Sequence, residues 1–141
     1  MKKLLILLTV LPFIGWSQNY EIANWYQFKK GAVCLTFDDG TEDHPTNAIP
    51  ALNEKNLPGT FYLNKMGNYT WAIQAIAQGH EMGNHTLSHL HLPLIDTSLL
   101  TTEIPEFQIT LESALGEKVN TLAYPFGEGG ETDPSMHYIQ D

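Results

Sequence analysis

The chain has 141 residues, 43% hydrophobic and 16% charged, which is one domain's worth of foldable polypeptide and excludes a disordered tail or a fibre. Seven basic residues, all Lys, face 16 acids, for a formal net charge of −9. A basic groove tracking phosphates is excluded, so nucleic acid is not an expected partner. The single Cys, Cys34, rules out an internal disulfide and a zinc-ribbon framework.

Residues 1–17 read as a signal peptide. Lys2 and Lys3 form a charged start, Leu4 to Ile14 an unbroken apolar run, and Gly15-Trp16-Ser17 a small-residue cleavage site. Cleavage near Ser17 predicts a secreted or periplasmic protein. The apolar run is shorter than the ~20 residues a bilayer span needs, so no stable membrane span is expected after cleavage. The other reading of this segment is an uncleaved anchor.

Residues 18–30 form a polar, aromatic lead-in, and the domain proper is expected over 31–141. Residues 31–37 (GAVCLTF) are a continuous apolar run, which predicts a strand buried on both faces. Residues 46–56 predict a short helix that starts late or kinks at Pro50. Residues 60–63 (TFYL) predict a second strand, and residues 70–78 a helix with Gly79 past its end. Residues 81–84 make a third strand, weak by composition. Leu100, Ile104, Phe107, Leu111 and Leu115 recur at helical spacing and predict an amphipathic helix, kinked at Pro105 and stopped by Gly116. Residues 121–124 (TLAY) predict a fourth strand.

Strand, helix, strand, helix in that order means a parallel α/β sheet, whose chemistry gathers at the C-terminal ends of the strands. The polar clusters fall at those ends. Asp38-Asp39-Gly40 closes the first strand, and it also reads as ordinary turn chemistry. His85 and His89 follow the third strand. Four residues apart, they would face the same way on a helical turn and, with a carboxylate, form a His₂Asp site for zinc or another first-row divalent ion. They also read as two solvated loop histidines. If Asp39 completes that site, Asp38 is free to act as a base. Residues 124–127 (YPFG) would form the far wall, with the Phe126 backbone N–H facing a developing oxyanion; alone, this segment is a strand-end turn. His44, His80, His91 and His137 are taken as ordinary polar residues.

Thr36-Phe37-Asp38-Asp39-Gly40 followed by His85-Thr86-Leu87-Ser88-His89 resembles the polysaccharide deacetylases, carbohydrate esterase family four. Gly59-Thr60-Phe61-Tyr62-Leu63 and residues 79–85 (GHEMGNH) are similar to the same family. The resemblance spans roughly residues 31–130. It implies an irregular (β/α) barrel, of which only about the first half is present, and metal-dependent removal of acetyl groups from sugars by metal-activated water. Carried over by position, Asp38 is the catalytic base, Asp39, His85 and His89 hold the metal, zinc first among the choices, and the Phe126 backbone N–H supports the oxyanion. The expected substrate is an acetylated polysaccharide or oligosaccharide such as chitin or peptidoglycan. Two departures stand beside it. Ala123 occupies the place of the Arg that orients the catalytic Asp. The later motifs, including the Leu-x-His that supplies the general acid, do not occur in this sequence, and His137 is too close to the third motif to replace it. The alternative is therefore a catalytically inactive remnant that binds metal or carbohydrate.

Overall fold

A computed structural model describes residues 25–65 and 69–128. The expected signal peptide and His137 lie outside the described residues. The chain divides into two units, Met1–Ala32 and Val33–Asp141. In the first, Tyr26–Phe28 form a single tight turn in which Phe28 N–H bonds the Trp25 carbonyl at 3.0 Å.

The second unit is built on a parallel sheet of three strands, β1 (Thr36–Phe37), β2 (Thr60–Leu63) and β3 (Glu81–Asn84), in the order β1-β2-β3. Thr36 pairs with Thr60, and Phe61 with Met82. Asn84 continues the sheet as a parallel bridge to Leu122, so residues 121–123 stand where the fourth strand was expected but make one bridge only. Strands are added in chain order on one side. That is the winding of a (β/α) barrel; a doubly wound sheet reverses direction at its switch point.

The helices are α1 (Ile49–Glu54), α2 (Thr70–Ala77), α3 (Thr97–Thr101) and α4 (Phe107–Leu115). Two prolines are absorbed rather than left to break them. A wide π turn over His44–Ala48 leads into α1, placing Pro50 in its first turn, and a second over Thr102–Glu106 carries Pro105 between α3 and α4. A proline ring clashes with the carbonyl four residues back, and a π turn widens that spacing. Gly79 (φ +95°) and Gly116 (φ +72°) follow α2 and α4 in the left-handed region, as their helix-stop positions predict.

Phe61 and Leu63 of β2 are fully buried against Met82, Ala72, Ala75, Phe107, Leu111 and Val119. On the opposite face Tyr62 lies over Gly83, where a Cβ would collide with its ring. The run over 31–37 is not a strand buried on both faces. Val33 is 85% exposed, Cys34 is exposed, and only two residues enter the ladder. β1 is an edge strand, paired on one side by β2.

His80 belongs to the core, not to the polar surface expected of it. Gly59 N–H donates to its Nδ1 at 3.1 Å, which requires Nδ1 to be unprotonated; Nε2–H then donates to Asn53 Oδ1 at 3.2 Å. Burial pushes the imidazole below its ordinary value of 6.5. The unfolded chain therefore takes up this proton at a higher pH than the folded one, and stability is lost as pH falls from 6.5 through the folded value. Between pH 7.5 and 5 the melting temperature of the wild type should fall further than that of His80→Gln, which keeps an acceptor and a donor but cannot titrate. Equal falls would show that His80 is not a source of acid sensitivity.

Candidate metal centre

The C-terminal ends of β1, β2 and β3 share one rim of the sheet, and the expected site residues meet there. Asp39 follows β1 with φ +72°, next to Gly40 at +61°. Its Oδ1 lies 3.6 Å from His85 Nε2 and 3.2 Å from His89 Nε2. One donor atom from each of the three lies within 4.8 Å of the others. Ligands on a tetrahedral zinc with bonds of 2.0–2.2 Å stand about 3.3–3.6 Å apart, so both Asp39–imidazole separations suit a small divalent cation.

The tautomer of His85 also fits. Its Nδ1 lies 2.8 Å from the Ala123 carbonyl, which can only accept, so Nδ1 carries a proton; in the neutral imidazole this leaves the Nε2 lone pair toward Asp39. The imidazole is buried, whereas Asp39 is about half exposed. Asp38, on the same turn as Asp39, is exposed, and among the described residues none donates a hydrogen bond to its carboxylate.

His85 and His89 do converge, but not on a helical turn. The segment between them is a bent loop with Thr86 at φ +64° and His89 at +52°. Two residues to which the sequence reading gave no role in the site shape it. Asn84, fully buried, accepts from Thr86 N–H at 2.8 Å and donates to the Ile104 carbonyl at 3.0 Å. Glu103, also buried, accepts from Ser88 N–H at 2.8 Å through its carboxylate and from Leu87 N–H at 3.0 Å through its carbonyl. Thr86 Oγ1 then accepts from His89 N–H at 3.2 Å.

The far wall is where it was expected. Phe126 (φ +61°, 55% exposed) sets its ring edge-on to His89, centroids 4.7 Å apart. Its ring stacks on His91 at 3.7 Å, and His91 Nδ1 is held by the Glu128 carboxylate at 2.9 Å. His44, taken as an ordinary polar residue, is buried among Phe37, Phe61 and Trp71. Burial depresses its pKa, and Asp39, Asp43 and Asp38 partly oppose the shift. Among the described residues of the second unit, five non-glycine residues have positive φ, and four of them (Asp39, Thr86, His89, Phe126) are in this site. Backbone strain of this kind gathers where geometry is over-determined by surrounding contacts.

Comparisons with known proteins agree with this picture. The profile of the polysaccharide deacetylase family matches residues 26–137, and the chain belongs to that family. It is 33% identical over 132 residues to a gellan lyase of a Bacillus species, covering 88% of this chain and 5% of that one. It is 29% identical over 121 residues to a peptidoglycan-N-acetylglucosamine deacetylase of Bacillus cereus, covering 83% and 44%. The Streptococcus pyogenes deacetylase PplD, solved in complex with acetate, superposes with a TM-score of 0.67 at 22% identity over 77% of this chain and 50% of that one, which supports the partial barrel fold. The chain spans half or less of the length of these proteins.

Removing the Asn84 amide strands the buried Thr86 N–H and takes one of two donors from the Ile104 carbonyl, which keeps the Phe107 N–H. Asn84→Ala should therefore lower unfolding free energy by about 1–3 kcal/mol in urea titration. An unchanged midpoint would show that the histidine loop is held by other contacts.

Proposed function

We propose that this chain is the metal-holding part of an exported deacetylase that removes N-acetyl groups from an acetylated polysaccharide or oligosaccharide. The observation that carries this reading is the convergence of Asp39 Oδ1, His85 Nε2 and His89 Nε2 at the rim of a parallel sheet, in a chain of the polysaccharide deacetylase family. The name of the Bacillus cereus relative supports N-acetylglucosamine as the acetylated unit.

Two neutral imidazoles and one carboxylate suit zinc, which when bound supplies Lewis-acid polarisation of the acetyl carbonyl and a lowered pKa for the attacking water. The protein's own groups divide the remaining work. His85 and His89 hold the ion through Nε2, and Ala123 keeps the His85 proton on Nδ1. Asp38 takes the proton from the attacking water as general base. The Phe126 backbone N–H donates to the oxygen on which negative charge develops.

A second reading, metal or carbohydrate binding without turnover, draws support from Ala123. The residue whose side chain would orient Asp38 in the family has none to offer here, and the Asp38 carboxylate is exposed. One pair of measurements separates the two. Zinc titration should show tight binding in the wild type that is abolished in His85→Ala and Asp39→Ala. Asp38→Asn should bind zinc as the wild type does, while acetate release from acetylated chito-oligosaccharide falls by about 10²–10⁴-fold. Zinc binding without acetate release in the wild type would favour the second reading, and unchanged affinity in His85→Ala would reject the metal assignment.

Export is supported by the sequence pattern of residues 1–17. No helix among the described residues is long and apolar enough to cross a membrane. N-terminal sequencing of protein recovered outside the cytoplasm should begin at Gln18. A start at Met1 would mean the segment is retained.

A further inference from the structure

Asn64 is the residue immediately after β2, and neither the metal set nor the proposed chemistry uses it. Its Nδ2 lies 3.1 Å from Asp39 Oδ1, the same oxygen that both imidazole nitrogens approach. A carboxylate oxygen only accepts, so the amide donates here. We infer that Asn64 is a positioning residue that fixes Asp39 as a one-oxygen ligand to the cation, an inference that rests on the metal-holding reading above.

The argument is one of constraint. Asp39 sits in the turn after an edge strand of two residues, in a left-handed conformation, with a half-exposed side chain. Little on its own strand stops the carboxylate from swinging into solvent or offering both oxygens. Asn64, by contrast, is pinned on both sides to the loop that carries the imidazoles. Before it, the Leu63 carbonyl accepts from His85 N–H at 2.8 Å; after it, Lys65 N–H donates to the Leu87 carbonyl at 2.9 Å. β2 lies between β1 and β3, so its C-terminal residue is the one placed to reach from the histidine loop to Asp39. The amide occupies one lone pair of Oδ1 and leaves the other for the ion. It thereby selects which oxygen coordinates and transmits the position of the histidine loop to the carboxylate. Partners of this kind, hydrogen-bonded to a ligating group, orient it and tune affinity.

The test uses the full chain, with zinc affinity read by calorimetric titration and coordination read by the visible spectrum of the cobalt(II)-loaded protein. Asn64→Leu keeps the size of the side chain and removes the donor. Zinc affinity should fall about 10–100-fold. The cobalt d–d bands should weaken and shift as Asp39 becomes free to add its second oxygen and raise the coordination number. A merely structural role for Asn64 would not move that spectrum. Asn64→Ala is the second variant, with the same expectation, should the Leu variant fail to fold. Wild-type affinity and an unchanged cobalt spectrum in either folded variant would overturn the role of Asn64 while leaving the metal site intact. A wild-type protein that binds no zinc would overturn both.

Discussion

Three nitrogens from two loops approach one carboxylate oxygen, Asp39 Oδ1, at 3.1, 3.2 and 3.6 Å. One of them, the Asn64 amide, is a donor by nature. The two imidazole nitrogens are different, because His85 has its proton committed to the Ala123 carbonyl and turns a lone pair toward a negatively charged oxygen. Lone pair facing lone pair is repulsive in the absence of something positive between them. A divalent cation resolves that conflict, and so does a proton on either Nε2. The cation does so for both imidazoles at once, at separations close to those of a tetrahedral ligand set. The donor set is thus one that suits a small cation.

Holding that arrangement has a backbone cost, and the fold distributes it. Asp39, Thr86, His89 and Phe126 all adopt the left-handed region, which is unfavourable by roughly 1–2 kcal/mol for an L-residue with a Cβ. Thr86 is the hardest case, being β-branched and fully buried. Its conformation is held from three directions: Asn84 takes its N–H, its own hydroxyl takes the His89 N–H, and Glu103 secures the next two residues. Each of these bonds is worth about 1 kcal/mol net, and leaving a buried partner unpaired costs more. Strain at the histidine loop is therefore stable only while Asn84 and Glu103, which anchor it to the segment between α3 and α4, remain in place.

The sequence was most legible where a local pattern carried the structure. TFYL is the second strand to the residue, and the spacing of Phe107, Leu111 and Leu115 is the buried face of α4. The continuous apolar run before Asp38 misled, because an edge strand and a central strand of a parallel sheet look alike when both are Val- and Leu-rich; only pairing partners distinguish them. The spacing of His85 and His89 found the right pair by the wrong geometry, since a loop with two left-handed residues brings the imidazoles together, not a helical turn. Asn64 and Glu103 carried no local signal, and Asn84, though inside the GHEMGNH stretch, gave no sign of its bond to Ile104. Their partners lie 25, 15 and 20 residues away, and a lone amide or carboxylate in sequence does not announce such a partner. The rule that chemistry gathers at strand ends would have reached Asn64, one residue past β2, had it been applied to every strand and not only to those ending in Asp or His. His44 and His80 were missed for a related reason, because their burial is created by aromatic and backbone groups from other elements.

Ala123 separates the two tasks of the proposed site. The side chain at that position is too small to reach any carboxylate, yet its carbonyl fixes the tautomer of His85. That contribution depends on the backbone alone, which is tied to Asn84 by the Ala123 N–H to Asn84 carbonyl bond at 3.0 Å and would survive almost any substitution there. Of the proposed ligands, His85 is consequently secured by burial and by main-chain atoms. Asp38, the proposed base, has no such support, because orienting its exposed carboxylate is a task for a long cationic side chain that the sequence does not place at position 123. On the proposed reading, the absence of such a side chain would bear on the geometry of proton removal and not on ion holding, and that step is sensitive to displacements of about 1 Å. On the proposed reading, affinity for the ion would therefore tolerate changes at position 123, while the rate of deacetylation would depend on how firmly Asp38 is held.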